Sequence, residues 1–199
     1  MFFICICCVV AETESLLEND LSSVNLSLYQ PFLSEDKRLE ILKNINIQLN
    51  DLKMKSINGS GGGSIRYVNP QVILDVNNLS IENGFSTGSG GAFLFESSYA
   101  LQIDNCSFLN VSASSNGGSV YAHTLNSVFI TGSLFNITKG NNGGSAYIKT
   151  CKVNLTKSWF EKSEALQYGG AILIEGLSSE LVYQVYDCYF GQCKSNSNG

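Results

Sequence analysis

Four residues with acid–base side chains recur at one position of a repeat. Glu96, His123, Lys149 and Glu175 each lie five residues after the second glycine of a Gly-Gly pair. A carboxylate, an imidazole and an ammonium group on one face could act as general acid and base on a sugar chain. The alternative is a solvated ladder of mixed charges, which is favoured because charged side chains normally lie outside. We therefore assign no catalytic residue and place all four on a candidate binding face.

Two tyrosines occupy another position of the same repeat. Tyr121 and Tyr147 each follow the second glycine by three residues. Period-2 alternation predicts that both side chains point outward on adjacent strands. Stacked aromatic rings there could hold a sugar or a partner protein, and the alternative is the ordinary preference of tyrosine for strands. Both residues complete the candidate binding face.

Metal and cofactor chemistry has few side chains to build on. His123 is the only histidine, so neither a zinc site nor a Ser-His-Asp triad is expected. Asp75, Asp104 and Asp187 are scattered along the repeats. We expect no metal ion and no cofactor.

A recurring glycine pair indicates the elements that position these residues. The pairs recur at intervals of 28, 27, 26 and 26 residues, at Gly62-Gly63, Gly90-Gly91, Gly117-Gly118, Gly143-Gly144 and Gly169-Gly170. A period of this length is typical of a solenoid, in which each repeat buries its apolar face against its neighbours. Glycine at a corner allows a positive φ or a close approach between the backbones of adjacent coils.

Apolar residues align in columns when the repeats are superimposed. Two columns follow the glycine pair: Ile65, Phe93, Val120, Ala146 and Ile172, then Tyr67, Phe95, Ala122, Ile148 and Ile174. Two more columns precede a position that is usually phenylalanine, which we call the aromatic mark: Leu74, Leu101, Val128, Val153 and Tyr183, then Val76, Ile103, Ile130, Leu155 and Val185. The mark itself is Ile81, Phe108, Phe135, Phe160 and Phe190. We expect these columns to face inward.

Three short strands per repeat, with like side chains stacked about 4.8 Å apart, describe a parallel β-helix. We predict an all-β fold, a right-handed parallel β-helix (solenoid) of about five coils with a short N-terminal capping segment.

The repeats resemble a known family. Gly-Gly-Ala171-Ile172, alternating with marks such as Phe108-Leu109-Asn110, is similar to the Gly-Gly-Ala-Ile and Phe-x-x-Asn repeats of polymorphic outer membrane proteins. More broadly, residues 44–199 resemble the right-handed β-helix of the pectin-lyase-like superfamily. The resemblance implies a surface-exposed adhesive or structural shaft, and in the wider superfamily it can imply polysaccharide lyases and hydrolases. Such lyases would be expected to show clustered aspartate calcium ligands and a basic arginine, whereas Arg66 is the only arginine in the repeats.

Composition divides the chain into three segments. Residues 1–11 are apolar and uncharged, as in the hydrophobic region of a secretory signal peptide, with Ala11 near a plausible cleavage point. A buried strand is the alternative. Residues 12–43 are expected to form an N-terminal cap, with a helix beginning near Ser34 and continuing through Lys43. Residues 44–199 are expected to hold the β-helix repeats.

Seven Asn-x-Ser/Thr sequons give further support for export. They lie at Asn25, Asn58, Asn78, Asn105, Asn110, Asn136 and Asn154. The alternative is that asparagine and serine are common because turns and exposed strand faces favour them. We predict a secreted or cell-surface glycoprotein.

Seven cysteines include three in the signal-like stretch, Cys5, Cys7 and Cys8. Cys106 and Cys188 share one column but lie three coils apart, about 14 Å at strand spacing, which is too far for a disulfide. Cys188 with Cys193 is the only pair close in sequence. We expect Cys106 and Cys151 to be buried thiols.

The partners follow from charge and from the end of the repeat. The net charge of −5 is mild and no basic run occurs, so no nucleic acid is expected. Gly199 lies where the spacing of the repeats would place the first glycine of the next pair, which predicts an incomplete final coil and self-association through an open C-terminal rung. We expect a structural or adhesive β-solenoid that binds glycans or surface proteins, and a carbohydrate-active enzyme of the same fold is the alternative.

Overall fold

A computed structural model describes residues 46–51, 53–55, 58–68, 73–97, 99–124, 126–150, 152–176 and 182–197, together with three short upstream strands at 14–15, 23–25 and 39–41. All regular elements among these residues are β-strands. Within the same ranges, no helix has the length and apolar character needed to cross a bilayer.

The strands form three parallel sheets, and each coil contributes to all three. The first sheet contains β1 (Glu14–Ser15), β3 (Leu39–Ile41), β7 (Ile65–Val68), β11 (Phe93–Ser97), β14 (Val120–Thr124), β17 (Ala146–Thr150) and β21 (Ile172–Gly176). The second contains β2 (Ser23–Asn25), β4 (Asn46–Asn50), β8 (Ile73–Asn77), β12 (Ala100–Asp104), β15 (Ser127–Thr131), β18 (Lys152–Thr156) and β22 (Val182–Tyr186).

The third sheet is interrupted at a corner, so that most coils contribute two short strands or one longer one. It contains β5 (Lys53–Lys55), β6 (Asn58–Gly59), β9 (Ser80–Glu82), β10 (Phe85–Ser86), β13 (Ser107–Ala113), β16 (Leu134–Gly140), β19 (Trp159–Glu161), β20 (Glu164–Ala165), β23 (Tyr189–Gly191) and β24 (Lys194–Ser195). The expected all-β parallel solenoid of about five coils is confirmed.

The register between coils is the one that the glycine pairs predict. Phe93 pairs with Ile65 on one side and with Val120 on the other. Leu101 pairs with Leu74 and Val128 in the second sheet in the same way. Equivalent residues of successive coils are therefore stacked, and the inward columns fill the interior.

Aromatic rings form the centre of this interior. Phe108, Phe135 and Phe160 are fully buried. Their ring centroids lie 4.7 Å and 4.8 Å apart in successive pairs, and the rings are nearly parallel. A second stack joins Tyr67 and Phe95, with centroids 5.3 Å apart. Because each coil buries its rings against its neighbours, the coils depend on one another for stability.

The two glycines of each pair have different roles. Gly143 has a φ of 65°, a conformation that L-residues rarely adopt. Gly144 has no positive φ, but an ideal Cβ there would lie 2.7 Å from the backbone nitrogen of Glu164. The first glycine thus makes the turn, and the second permits the next backbone to approach.

The N-terminal region differs from the expectation in one respect. Residues 39–41 were expected to lie in a helix, but they form β3, which pairs in parallel with β7. Upstream, β2 pairs with β4. Parallel pairing therefore begins before residue 44, because alternating apolar residues such as Leu39 and Ile41 also suit a strand. The remaining residues of the expected helix, and residues 1–11, lie outside the described ranges.

The last coil is less buried than its columns predict. Tyr183, Val185 and Phe190 belong to inward columns, yet they are 41%, 55% and 47% exposed. Their strands pair with the preceding coil only, among the described residues. Inward-pointing side chains are covered only when a following rung lies over them.

Candidate binding faces

The six residues of the candidate binding face lie together on the outer surface of the first sheet. Glu96 pairs with His123, and His123 pairs with Lys149. Lys149 pairs in turn with Glu175. The two tyrosines lie two residues upstream on the middle strands, β14 and β17. All six therefore lie on four consecutive strands, with two residues each on β14 and β17 and one each on β11 and β21.

The tyrosines stack on each other, as expected for adjacent outward positions. Their ring centroids are 5.4 Å apart and the planes differ by 3°. Tyr121 is half-buried, but Tyr147 is only 7% exposed, so our expectation that both rings are exposed is wrong for Tyr147. Face-to-face stacking covers the ring faces, and a ligand meets mainly the edge of Tyr121.

The buried phenol is held by a neighbouring carboxylate. Burial raises the pKa of Tyr147, and a hydrogen bond to Glu175 together with its negative charge raises it further. Tyr147 therefore remains protonated and donates to Glu175. Burial also raises the pKa of Tyr121, and the charges of Glu96 and Glu175 contribute.

The charged column contains one ion pair. The Lys149 ammonium lies 3.5 Å from a Glu175 carboxylate oxygen, and both side chains are more than one third exposed. An ion pair in such a setting contributes at most about 1 kcal/mol. Since Glu175 also accepts from Tyr147, the face offers His123 and Glu96 as its remaining titratable groups for a ligand.

A second outer face, which the sequence analysis did not single out, carries larger exposed aromatic rings. Trp159 on β19 is 51% exposed and Tyr189 on β23 is 46% exposed. Their ring centroids are 4.4 Å apart and their planes are inclined by 38°. Leu134 continues the column on β16. The signal was present in the sequence, because each of these residues directly precedes an inward aromatic mark.

The sequon asparagines lie mostly at corners and on outer faces. Asn78, Asn105 and Asn110 are exposed and have φ values between 53° and 54°, a conformation that asparagine tolerates better than most residues. Asn58 is exposed, and Asn136 and Asn154 are partly buried. Asn25 lies in β2, and its side chain is outside the described set. Glycosylation at these positions stays a prediction.

The cysteines that the structure describes are thiols. Cys106, Cys188 and Cys193 are unpaired, so the Cys188–Cys193 bridge does not form. Cys106 is buried, as expected, and Cys151 lies outside the described residues. Histidine, cysteine and carboxylate side chains form no cluster suited to a metal ion within the described ranges.

An apolar cavity of about 390 Å³ opens at the end of the last coil. Leu155, Ile174 and Phe190 are among its lining residues. It is lined by residues of the inward columns that no described residue covers, and it lies away from both outer faces.

Comparison with family models, curated proteins and solved structures finds no match to this chain.

Proposed function

We propose that this chain is an exported β-solenoid with a structural or adhesive role at the cell surface. The observation that supports adhesion is the outer face of the first sheet, on which ionisable side chains align in register on four successive coils and two tyrosines stack beside them. A surface with such a repeat suits an extended partner, such as a glycan chain or a surface protein. Export is supported by the signal-like residues 1–11 and the seven sequons.

The adhesive role is tested by binding of the purified protein to arrays of glycans and extracellular-matrix proteins. Tyr121→Ala should weaken binding at least roughly fivefold, since an aromatic contact contributes about 1 kcal/mol beyond its buried area. Phe129→Ala is the matched control, because Phe129 is an exposed aromatic residue of the second sheet. Binding that Tyr121→Ala leaves unchanged, in a folded protein, would remove this face from the proposal.

Export is tested separately by attaching residues 1–30 to a reporter protein in a secreting cell. The reporter should appear in the medium with a new N-terminus near Ala11. A reporter that stays inside the cell with residues 1–11 intact would contradict export.

The alternative function is a carbohydrate-active enzyme. It is favoured by one observation, the adjacency of Glu96, His123 and Lys149 on three successive strands. Incubation with a panel of polysaccharides separates the two functions. Reducing ends or unsaturated products that disappear in His123→Ala would support the enzyme, whereas binding without turnover supports the adhesive role.

A further inference from the structure

The outer surface of the third sheet exposes a pair of aromatic rings with no covering element among the described residues. We call Trp159 and Tyr189 the aromatic pair. The 38° inclination distinguishes it from the Tyr121–Tyr147 stack, whose rings cover each other at 3°. The inclined rings do not close fully on each other, and about half of each side chain is exposed.

The absence of a side chain at Gly191 allows the Tyr189 ring to lie along its own strand. An ideal Cβ on Gly191 would lie 2.5 Å from the Tyr189 hydroxyl oxygen and 2.7 Å from its Cζ. The Tyr189 ring therefore lies along its strand and over Gly191. The indole centroid is 4.4 Å from that of this ring, so Trp159 contacts it over the same part of the face.

The column that ends at Gly191 contains a sequon. Asn136 pairs with Glu161, and Glu161 pairs with Gly191. Asn136 is thus two rungs, about 10 Å, from the glycine that the Tyr189 ring covers. Leu134, two residues before Asn136, is the direct neighbour of Trp159. A group attached to the Asn136 amide would reach the aromatic pair by extending across Glu161.

The Asn136 amide also differs from those of four other sequons, whereas Asn58 likewise has no side-chain amide hydrogen bond to a described residue. Asn78, Asn105, Asn110 and Asn154 donate from Nδ2 to side chains of neighbouring coils, over 2.6 to 3.4 Å. Asn136 makes no such bond to a described residue, and its Oδ1 is enclosed without a partner there. Its nitrogen is not needed in a ladder between coils.

We propose that Asn136 carries an N-linked glycan whose first N-acetylglucosamine packs against Trp159 and Tyr189. This inference rests on the export proposed above. In the transfer step, Asn136 Nδ2 bonds to the anomeric carbon of an oligosaccharide held on a lipid diphosphate. The bond from that carbon to the phosphate oxygen breaks, the lipid diphosphate leaves, and the amide releases one proton.

The chemistry of both partners fits this arrangement. One face of N-acetylglucosamine presents C–H groups, which pack on aromatic faces and edges. Glu161 lies between the two sites and can accept hydrogen bonds from sugar hydroxyls, although Lys162 lies 3.8 Å from one of its oxygens. The glycan would cover apolar surface that a soluble protein otherwise exposes to water.

The sequon threonine places the transfer before folding. Thr138 is 1% exposed, and its hydroxyl lies 2.8 Å from that of Ser145 and 3.0 Å from that of Ser163. An oligosaccharide transferase that must contact the Thr138 hydroxyl to recognise the sequon cannot reach it in the folded solenoid. The glycan is therefore attached to the nascent chain, and the third sheet closes with the sugar already present.

The single tryptophan makes the contact directly measurable. The full chain is secreted from a glycosylating eukaryotic cell behind that host's own signal peptide, and site occupancy is read by glycopeptide mass spectrometry. We expect Asn136 to be occupied. Asn136→Gln should raise acrylamide quenching of Trp159 roughly twofold, because a half-exposed ring loses its cover. Enzymatic removal of the glycan should have the same effect.

Two further variants separate contact from mere presence. Asn110→Gln removes a sequon from a corner two coils away from Trp159 and should leave the quenching of Trp159 unchanged. Gly191→Ala should raise quenching while Asn136 stays occupied, since the new methyl group displaces the Tyr189 ring. Gly191 has no positive φ among the described glycines, and the clashing atoms belong to the end of a side chain, so the fold should tolerate the change.

Several results would overturn the inference. The first is an Asn136 that carries no glycan. The second is an occupied Asn136 in a protein whose Trp159 is quenched as strongly as in Asn136→Gln. The third is shielding of Trp159 that depends on protein concentration, which would identify a second copy as the cover. Shielding of the unglycosylated protein by added N-acetylglucosamine oligomers would instead identify an external glycan. Because the host signal enforces export, failure of residues 1–11 to direct secretion contradicts only the proposed function.

Discussion

Ile137 is a β-branched residue in a conformation that suits asparagine or glycine. Its φ is 55° and its side chain is 47% exposed. Asn83 and Asn110 adopt similar φ values at the equivalent corner of earlier coils, and Asn110 donates to Asn83 over 2.7 Å. Ile137→Asn should raise the free energy of unfolding by about 1 kcal/mol, because it relieves left-handed strain. Thermal unfolding should show a rise of roughly 3 °C.

A matched variant separates strain from exposure. Leu134→Asn removes a 37% exposed apolar side chain from a residue with no positive φ. This variant should either leave the melting temperature unchanged or lower it. An equal rise in both variants would show that lost apolar exposure, and not backbone strain, accounts for the effect.

Cys106 is a thiol whose reactivity is suppressed by burial. Burial raises its pKa to about 12, and the charge of Asp104 adds to the increase. Alkylation at pH 8 should modify Cys188 and Cys193 in the native protein and reach Cys106 only on unfolding. Because the folded pKa lies above the unfolded value of 9.0, the stability linked to this proton is complete below pH 9 and is lost as pH rises toward 12.

Cys106→Ser is the control for this linkage. Ser133 and Ser158 occupy the same column in the next two coils, and the Ser133 hydroxyl accepts from the Cys106 backbone N–H over 3.1 Å. The serine should fit and remove this part of the alkaline destabilisation. Rapid native labelling of Cys106 would show that the column opens to solvent.

At the scale of strands, the phenylalanine column of the third sheet is the central packing element. Phe135 lies between two stacked rings and is fully buried. Phe135→Ala should cost about 3 to 5 kcal/mol, measured by chemical denaturation. Phe129→Ala on the outer face of β15 should cost much less. Similar losses would mean that the solenoid interior is not where the stability lies.

Much of this arrangement could be predicted because the glycine pairs fix the alignment of coils. Once Gly117-Gly118 and Gly143-Gly144 are superimposed, period-2 alternation assigns Val120 and Ala146 to the interior and His123 and Lys149 to the exterior. The six candidate residues follow from the same alignment. Local alternation and the long period agree, which is why the register was correct.

The exposure of individual side chains depends on contacts with neighbouring residues, which the alternation of apolar and polar residues does not reveal. Tyr147 is an outward residue that is buried by its neighbours, and Phe190 is an inward residue that is exposed on the last coil. The Tyr189 ring occupies space that a Cβ on Gly191 would take. Burial on a solenoid is set by the next coil and the adjacent columns, so a single repeat read alone cannot assign it.

At the scale of the whole molecule, β21, β22 and β23 pair with the preceding coil only, among the described residues, and apolar side chains of the inward columns are exposed at this end of the described solenoid. Exposed edges with apolar side chains favour pairing with another chain. We expect concentration-dependent association through this end, measured by light scattering. Val185→Lys should suppress it, because a charge would enter the interface. Val182→Lys places the same charge on the outer side of β22 and should have little effect.

A protein that is monomeric at every concentration, or equal suppression by both lysines, would contradict association through the open end.

A chain wound in coils is also a mechanical element. Neighbouring strands in each sheet belong to successive coils, so the hydrogen bonds between them run along the axis of the solenoid. Tension applied to the two ends loads the outermost coil first, and the coils should detach one after another. Each detached coil of 26 to 28 residues would release about 90 Å of extended chain. Such a shaft would lengthen in steps under load and dissipate work, while the coils not yet reached keep their outer faces in register.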